Sequence, residues 1–215
     1  MMKRTPLLIG ICGASGSGKT TLANHLVKEL KKADKSMRVE QFSLDRYYLG
    51  VTEKTLAERA THNFDHPDQI DYPLFEKHLQ QIRAGIAVDI PNYDYARSCR
   101  TGETDRFSAC DVLLVDGLHL YYRDSIRELF SFKVFVHTPL EECEQRRVIR
   151  DVLERGQSEE IVRSQYKKHV IPMYKEFIEP KQELSDLIIE GTEKVSVNSR
   201  AVLEQLAPVL EKIRR

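Results

Sequence analysis

The chain has 215 residues, a length typical of one α/β domain or of two small domains. Hydrophobic residues make up 41% and charged residues 31%, and 33 Lys plus Arg balance 33 Asp plus Glu, so the formal net charge is zero. This composition excludes an intrinsically disordered chain, a collagen-like fibre and a polybasic nucleic-acid coat, because each needs a bias that is missing here. We expect a single domain over residues 1–215, with no nucleic-acid partner.

The sequence contains no long apolar segment. The longest apolar run near the amino end is Leu7–Ile9, which is far shorter than a signal sequence or a membrane span. The four cysteines form no C-x-x-C pair and have no spacing suited to zinc: Cys12, Cys99, Cys110 and Cys143. We therefore expect reduced thiols in a cytoplasmic protein that does not contact a membrane.

Short apolar runs alternate with helical patterns along the chain. The apolar runs are rich in β-branched residues and predict strands over Leu7–Cys12, Arg38–Ser43, Val112–Val115, Lys133–His137 and Leu187–Ile189. The helical patterns predict helices over Thr20–Lys32, Leu74–Arg83, Leu140–Glu154 and Val197–Ile213. Strands that are apolar at consecutive positions are typical of a parallel sheet covered on both faces. The predicted fold class is therefore α/β, with a doubly wound sheet.

Two regions interrupt this alternation. Residues from about 45 to 106 are rich in Asn, Asp, Pro and Tyr and contain one clear helix, whereas residues from about 141 to 168 are densely charged and helical in pattern. We interpret the first region as an insertion after the second strand and the second region as a helical lid. Surface decoration is the alternative for both.

A glycine-rich segment follows the first predicted strand directly and fits the pattern G-x-x-x-x-G-K-[ST]. Its residues are Gly13, Ala14, Ser15, Gly16, Ser17, Gly18, Lys19 and Thr20, and Thr21 continues into the predicted helix. Backbone N–H groups in such a loop point at a phosphate, and the start of the helix adds partial positive charge. Lys19 is expected to reach the β- and γ-phosphate oxygens, and Thr20 to offer its hydroxyl to Mg²⁺. A flexible Gly/Ser loop is the alternative.

Two carboxylates come just after other predicted strands. Asp116 follows Val112–Val115, and Asp45 follows Arg38–Ser43. The carboxyl ends of parallel strands meet at one edge of a sheet, so both carboxylates can converge on the glycine-rich loop. Asp116 is then placed to hold a metal ion, and Asp45 to orient and deprotonate an acceptor hydroxyl. A turn or a helix cap is the alternative for each.

Four arginines lie within ten residues of one helical pattern: Arg146, Arg147, Arg150 and Arg155. Such a run is often only a solvated helix face. It is also suited to a lid that brings guanidinium groups onto a transferring phosphoryl group and excludes water.

Further segments extend the pattern beyond the glycine-rich loop. They are Asn63–Asp68, Pro91–Tyr95, Arg146–Gly156, Gln165–Tyr166 and Phe177–Pro180 with the following Ser185–Ile189. In order and spacing the chain resembles, over about residues 7–205, the uridine–cytidine kinases of the P-loop kinase group that also holds phosphoribulokinase. The resemblance implies a five-stranded parallel core, a β-hairpin that carries the base pocket and a helical lid. It also implies a homotetramer and feedback inhibition by CTP or UTP.

The resemblance implies roles for individual residues on the acceptor side. Asp45 would be the general base near the nucleoside 5′-hydroxyl, with Tyr48 in the same pocket. Asp65 would hold the ribose hydroxyls, whereas Tyr93 would contact the pyrimidine and Tyr95 would pack on it. Lid residues would touch phosphate or nucleoside: Arg147, Arg150, Arg155 and Gln165.

Three positions depart from the family pattern. Ser98 stands where members usually have a histidine that reads the pyrimidine edge, and Gln157 stands where they have a lid arginine. Asp116 replaces the usual glutamate and has a shorter reach, so a water-bridged metal contact is expected there. The first two changes affect the acceptor side.

The leading hypothesis is a kinase that transfers the γ-phosphoryl of Mg·ATP or Mg·GTP to the 5′-hydroxyl of uridine or cytidine, for pyrimidine salvage. In it, Lys19, Arg150 and Arg155 stabilise the developing charge. One alternative is a kinase of the same fold that acts on another nucleoside or a sugar phosphate. Another is a catalytically silent nucleotide-binding module, which is disfavoured because the chain retains all four key residues: Lys19, Thr20, Asp45 and Asp116.

Overall fold

A five-stranded parallel sheet forms the centre of the computed structural model, which describes residues 5–51, 55, 58, 62–108 and 110–214. Its strands, in chain order, are β1 (Leu7–Gly13), β2 (Val39–Ser43), β5 (Val112–Gly117), β6 (Phe132–His137) and β7 (Leu187–Glu190). Across the sheet their order is β2-β5-β1-β6-β7. An antiparallel hairpin of β3 (Val88–Asp94) and β4 (Cys99–Phe107) lies outside it.

Both faces of the sheet are covered. Every residue of β1 is buried, as is every residue of β5, which explains why these strands are apolar at consecutive positions. Leu8 belongs to a core on one face and Ile9 to a core on the other, because successive side chains of a strand point in opposite directions. The predicted α/β fold with a parallel sheet is confirmed.

The helices form these two covering layers and the lid region. In chain order they are α1 (Lys19–Ala33), α2 (Tyr72–Arg83), α3 (Asp124–Arg127), α4 (Leu140–Arg155), α5 (Glu159–Gln165), α6 (Ile171–Met173) and α7 (Val195–Arg214). Leu26 of α1 and Val202 of α7 share one core, and Phe75 of α2 belongs to the other. None of the helices in the described part of the chain has the length and hydrophobicity of a membrane crossing.

The region predicted as a lid consists of α4, α5 and the helical turns that follow them. The helical path continues beyond residue 168 through π-helical turns at Tyr166–Val170 and Tyr174–Ile178 and a 3-10 segment at Glu179–Leu184. Gly156, whose φ of 65° is left-handed, caps the carboxyl end of α4. The region predicted as an insertion holds α2 and the hairpin, and its residues 52–54, 56–57 and 59–61 lie outside the described residues.

Candidate active site

The glycine-rich loop lies between β1 and α1 and packs closely on its neighbours. Gly16 has a φ of 87°, and a Cβ atom there would come within 2.5 Å of the carbonyl oxygen of Cys143 on α4. Gly18 also has a positive φ, of 98°, directly before the first residue of α1. The Lys19 ammonium donates a 2.7 Å hydrogen bond to the carbonyl of Ala14, so its side chain folds over the loop. The loop thus has the curled backbone that phosphate binding needs.

Thr20 and Asp116 meet at the carboxyl edge of the sheet. The Thr20 hydroxyl donates a 2.7 Å hydrogen bond to the Asp116 carboxylate. Asp116 is placed by the parallel pairing of β5 with β1 and β2, where it lies opposite Ile11 and Ser43. Burial and the nearby charge of Asp45 raise the pKa of Asp116 to about 6, although the hydrogen bond from Thr20 acts in the opposite direction.

This pair suits a magnesium ion that also binds phosphate. Within the residues that the structure describes, no group of three or more His, Cys, Asp or Glu side chains is gathered for a metal. Mg²⁺ commonly takes one or two protein oxygen ligands together with waters and phosphate oxygens. A buried carboxylate with a raised pKa beside a hydroxyl and a phosphate loop therefore fits that ion.

Asp45 lies in a 3-10 turn, Leu44–Tyr47, that follows β2. The Ser43 hydroxyl caps this turn and accepts a 3.2 Å hydrogen bond from the backbone N–H of Asp45. Leu44 packs so closely on β5 that a Cβ at Gly117 would come within 2.5 Å of the Leu44 Cβ. The turn is thus fixed, and Asp45 lines a cavity of about 710 Å³ together with Lys19.

A ladder of three aromatic rings forms the hairpin side of this cavity. The ring centroids of Tyr48 and Tyr93 are 5.8 Å apart, and those of Tyr93 and Tyr95 are 5.2 Å apart. The Arg155 guanidinium of α4 lies 5.0 Å from the Tyr95 ring centroid, a cation–π contact between lid and hairpin. Ser98, in the turn of the hairpin, has a φ of 54° and also lines the cavity.

Two arginines fasten the hairpin to the turn that carries Asp45. Arg46 donates to the carbonyls of Pro91 and Ile90 at 2.7 and 3.2 Å, and also to Asn92 and Asp105. Arg100 donates to the carbonyls of Tyr47 and Tyr48 and to the Asp71 carboxylate, each at 3.1 Å. The sequence analysis missed both residues, because an arginine whose partners are distant backbone carbonyls carries no local signal.

Asp65 is held by two further side chains. Arg147 donates to both of its carboxylate oxygens, at 2.9 and 3.3 Å. Burial disfavours the charged form of Asp65, but Arg147 outweighs it and the pKa of Asp65 is lowered. His119, 1% exposed and also missed from the sequence, lies with its Nε2 2.7 Å from the backbone carbonyl of Asp65. The ribose role of Asp65 stays a prediction.

The remaining predicted lid residues also reach the cavity. Arg150, Gln157 and Gln165 line it, and so do Arg155 and Arg147. The cavity is also lined by Arg146 and by residues after β7 that the sequence analysis did not predict: Gly191, Glu193, Val195 and Asn198. Arg146 donates a 3.0 Å hydrogen bond to the carbonyl of Gly191 there. The lid, the phosphate loop and the segment after β7 thus line one cavity.

Comparison with known proteins identifies the family. The model of the phosphoribulokinase / uridine kinase family matches residues 8–198. The chain belongs to this family. A uridine kinase of Proteus mirabilis (strain HI4320) is 38% identical over 193 residues, which cover 89% of this chain and 91% of the relative.

Solved structures outside the close relatives share the fold of this family member. A D-glycerate 3-kinase from Cryptococcus neoformans var. grubii has a TM-score of 0.65 at 18% identity and covers 88% of both chains. A protein from Bacillus stearothermophilus, described as a possible uridine kinase, has a TM-score of 0.59 at 21% identity over 88% of this chain and 91% of that chain. At these identities the likeness establishes the fold alone.

Proposed function

We propose that the protein transfers the γ-phosphoryl group of Mg·ATP or Mg·GTP to the 5′-hydroxyl of uridine or cytidine, giving UMP or CMP for pyrimidine salvage. The observation that carries the proposal is the position of Asp45. It lines one cavity with Lys19 of the phosphate loop and with Tyr93 and Tyr95 of the hairpin. A carboxylate between a phosphate site and an aromatic pocket suits an acceptor that has a planar base and a hydroxyl.

The chain's own residues supply positioning and charge. Asp45 accepts the proton of the attacking hydroxyl and orients it towards the phosphoryl group. Lys19, Arg150 and Arg155 stabilise negative charge on the transferring oxygens, since guanidinium and ammonium groups in a shielded cavity act strongly on that charge. Thr20 and Asp116 would hold Mg²⁺, which would supply positive charge to offset the negative charge of the phosphates.

The aromatic ladder and the Asp65 pair supply acceptor recognition. Tyr93 and Tyr95 offer ring faces to a pyrimidine. Asp65 is ionised beside Arg147, so its free lone pairs can accept hydrogen bonds from ribose hydroxyls. We further propose a cytoplasmic homotetramer, for which the family resemblance is the support.

A second candidate keeps the fold and changes the acceptor. Ser98 and Gln157 both line the cavity, at positions where the family resemblance implies a histidine and an arginine. Another nucleoside or a sugar phosphate is then the substrate. Ser98→His separates the two candidates, because it improves pyrimidine use in a uridine or cytidine pocket and has no such effect in a pocket built for another acceptor.

An acceptor panel tests the proposal. ADP release is measured with Mg·ATP and with uridine, cytidine, purine nucleosides or ribulose 5-phosphate as the acceptor. The proposal expects turnover that depends on uridine or cytidine. Turnover with another acceptor alone supports the second candidate, and ATP binding without any acceptor-dependent turnover contradicts both.

A further inference from the structure

The carboxylate of Asp151 lies at the centre of the lid arginines. Asp151 is on α4 and only 1% exposed. The Nε atoms of Arg147, Arg150 and Arg155 lie 3.3, 2.8 and 3.3 Å from its carboxylate oxygens. One buried carboxylate therefore contacts three guanidinium groups of the same helix.

The helix spacing and the charges explain this cluster. Arg147 and Arg155 are one turn before and one turn after Asp151, so both are helical neighbours of its side chain. Three positive groups in so small a volume repel one another, and burial together with the charge of Arg150 lowers the pKa of Arg155. Asp151 offsets that repulsion and lets the three groups stay close together.

The contacts leave the outer nitrogen atoms of two arginines available. Arg150 and Arg155 meet Asp151 through Nε, and their Nη atoms have no hydrogen-bond partner among the described residues. Both side chains line the cavity that Lys19 also lines. Arg147 differs, because its Nη atoms bind Asp65 on the acceptor side.

We propose that Asp151 is a positioning residue: it holds Arg150 and Arg155 with their Nη atoms available to the transferring phosphoryl group and links them, through Arg147, to the acceptor side. The inference rests on the proposed function and adds a residue that acts only through others. Because three guanidinium groups contact Asp151, its carboxylate would not attract a metal ion: the positive charges would repel it.

Asp151→Asn tests this inference, with Glu159→Gln as the matched control. Glu159 is an exposed carboxylate on the neighbouring helix α5, paired with Arg163 at 2.8 Å. In Asp151→Asn, kcat is expected to fall about 100-fold, as for the loss of an oriented charge partner in a transition state, while the affinity for Mg·ADP, which has no γ-phosphate, changes by less than about threefold. The preference for Mg·AMP-PNP over Mg·ADP, measured by calorimetry, also falls, because the γ-phosphate loses oriented partners. Glu159→Gln is expected to keep the wild-type kcat and the wild-type preference for Mg·AMP-PNP.

A double-mutant cycle separates positioning from a direct role. If Asp151 acts through Arg155, the loss of kcat in the double variant Asp151→Asn/Arg155→Gln is much smaller than the product of the losses in the two single variants. Should Asp151→Asn fail to fold, Asp151→Glu decides, because it keeps the charge and moves the carboxylate by one methylene. Its expected result is again a reduced preference for AMP-PNP over ADP.

Two results would overturn the inference. One is a folded variant, Asp151→Asn or Asp151→Glu, with wild-type kcat and wild-type preference for Mg·AMP-PNP. The other is a cycle in which the losses multiply fully. The comparison of AMP-PNP with ADP needs no acceptor, so it still tests Asp151 if the wild-type enzyme does not phosphorylate uridine and the proposed function fails.

Discussion

Arg147 donates two hydrogen bonds, of 2.9 and 3.3 Å, to the carboxylate of Asp65, a residue 82 positions earlier in the chain. Both side chains are less than 10% exposed. The pair joins the insertion to the lid helix α4. Burial disfavours the charge on Arg147, but Asp65 outweighs this effect and raises the pKa of Arg147 above its ordinary value. Each side chain of the pair therefore stabilises the charged form of the other.

Removal of one partner of this pair is expected to destabilise the folded protein. Arg147→Met leaves Asp65 as a buried unpaired charge and lowers the free energy of unfolding by about 3–5 kcal/mol. Arg147→Met combined with Asp65→Leu recovers part of that loss, because no isolated charge remains at the pair. Urea unfolding of the single and the double variant measures both changes in the free energy of unfolding. A single variant as stable as the wild type would contradict this account of the pair.

The tight contact of Gly16 with α4 predicts a selective loss of nucleotide binding. In Gly16→Ala the new Cβ meets the Cys143 carbonyl at 2.5 Å, so the loop has to move and ATP affinity falls at least about tenfold. Gly102→Ala is the control, since Gly102 has a similar φ of 84° with no atom within 4 Å of the added Cβ. That variant keeps ATP affinity, as calorimetry can establish. Unchanged ATP affinity in Gly16→Ala would contradict this account of the contact.

The hydrogen bond between Thr20 and Asp116 predicts a change in the magnesium requirement. Thr20→Val removes the hydroxyl at almost the same volume, and the Mg²⁺ concentration for half-maximal activity rises about tenfold or more. Thr20→Ser keeps the hydroxyl and stays near the wild type. Magnesium titrations of activity at saturating ATP distinguish the two variants. An unchanged titration curve for Thr20→Val would rule out this threonine as a metal partner.

His119 makes the stability of the fold depend on pH. Burial lowers its pKa from 6.5 to about 4. Between these values the unfolded chain binds a proton that the folded chain does not, so stability is full above about pH 6.5 and is lost as the pH falls towards 4. The loss is on the order of 3 kcal/mol.

His119→Gln removes this contribution while it keeps an N–H donor for the Asp65 carbonyl. The free energy of unfolding, measured by urea titration at neutral and at mildly acidic pH, is expected to decrease less in the variant than in the wild type. The same decrease in both proteins would show that other groups carry the acid sensitivity.

The sheet and the phosphate loop could be predicted because their signals are local. β1 is apolar at consecutive positions, and the glycine pattern follows it directly, so strand, loop and helix are all encoded within about 25 residues. Asp45 and Asp116 needed only the rule that parallel strands end at one edge. Their convergence on the cavity wall follows from the strand order.

The residues that hold the site together could not be predicted in this way. Arg46 and Arg100 bind backbone carbonyls 44 to 53 positions away, and any residue type presents such a carbonyl. His119 likewise binds a carbonyl, 54 positions away. The three contacts of Asp151 are local, but a charged helix face gives the same sequence pattern whether it is solvated or folded inward.

The most direct test of the account is uridine-dependent ADP release by the wild type and by Asp45→Asn, with the affinity for Mg·ATP measured on both proteins. Asp45 and the phosphate loop line the same cavity, and in the proposed function Asp45 acts on the acceptor whereas the loop holds the donor. The account predicts uridine-dependent turnover in the wild type, a loss of about 100-fold or more in the variant, and ATP affinities that agree within about threefold. Full activity of Asp45→Asn, or a wild type that binds ATP and does not use uridine or cytidine, would contradict it.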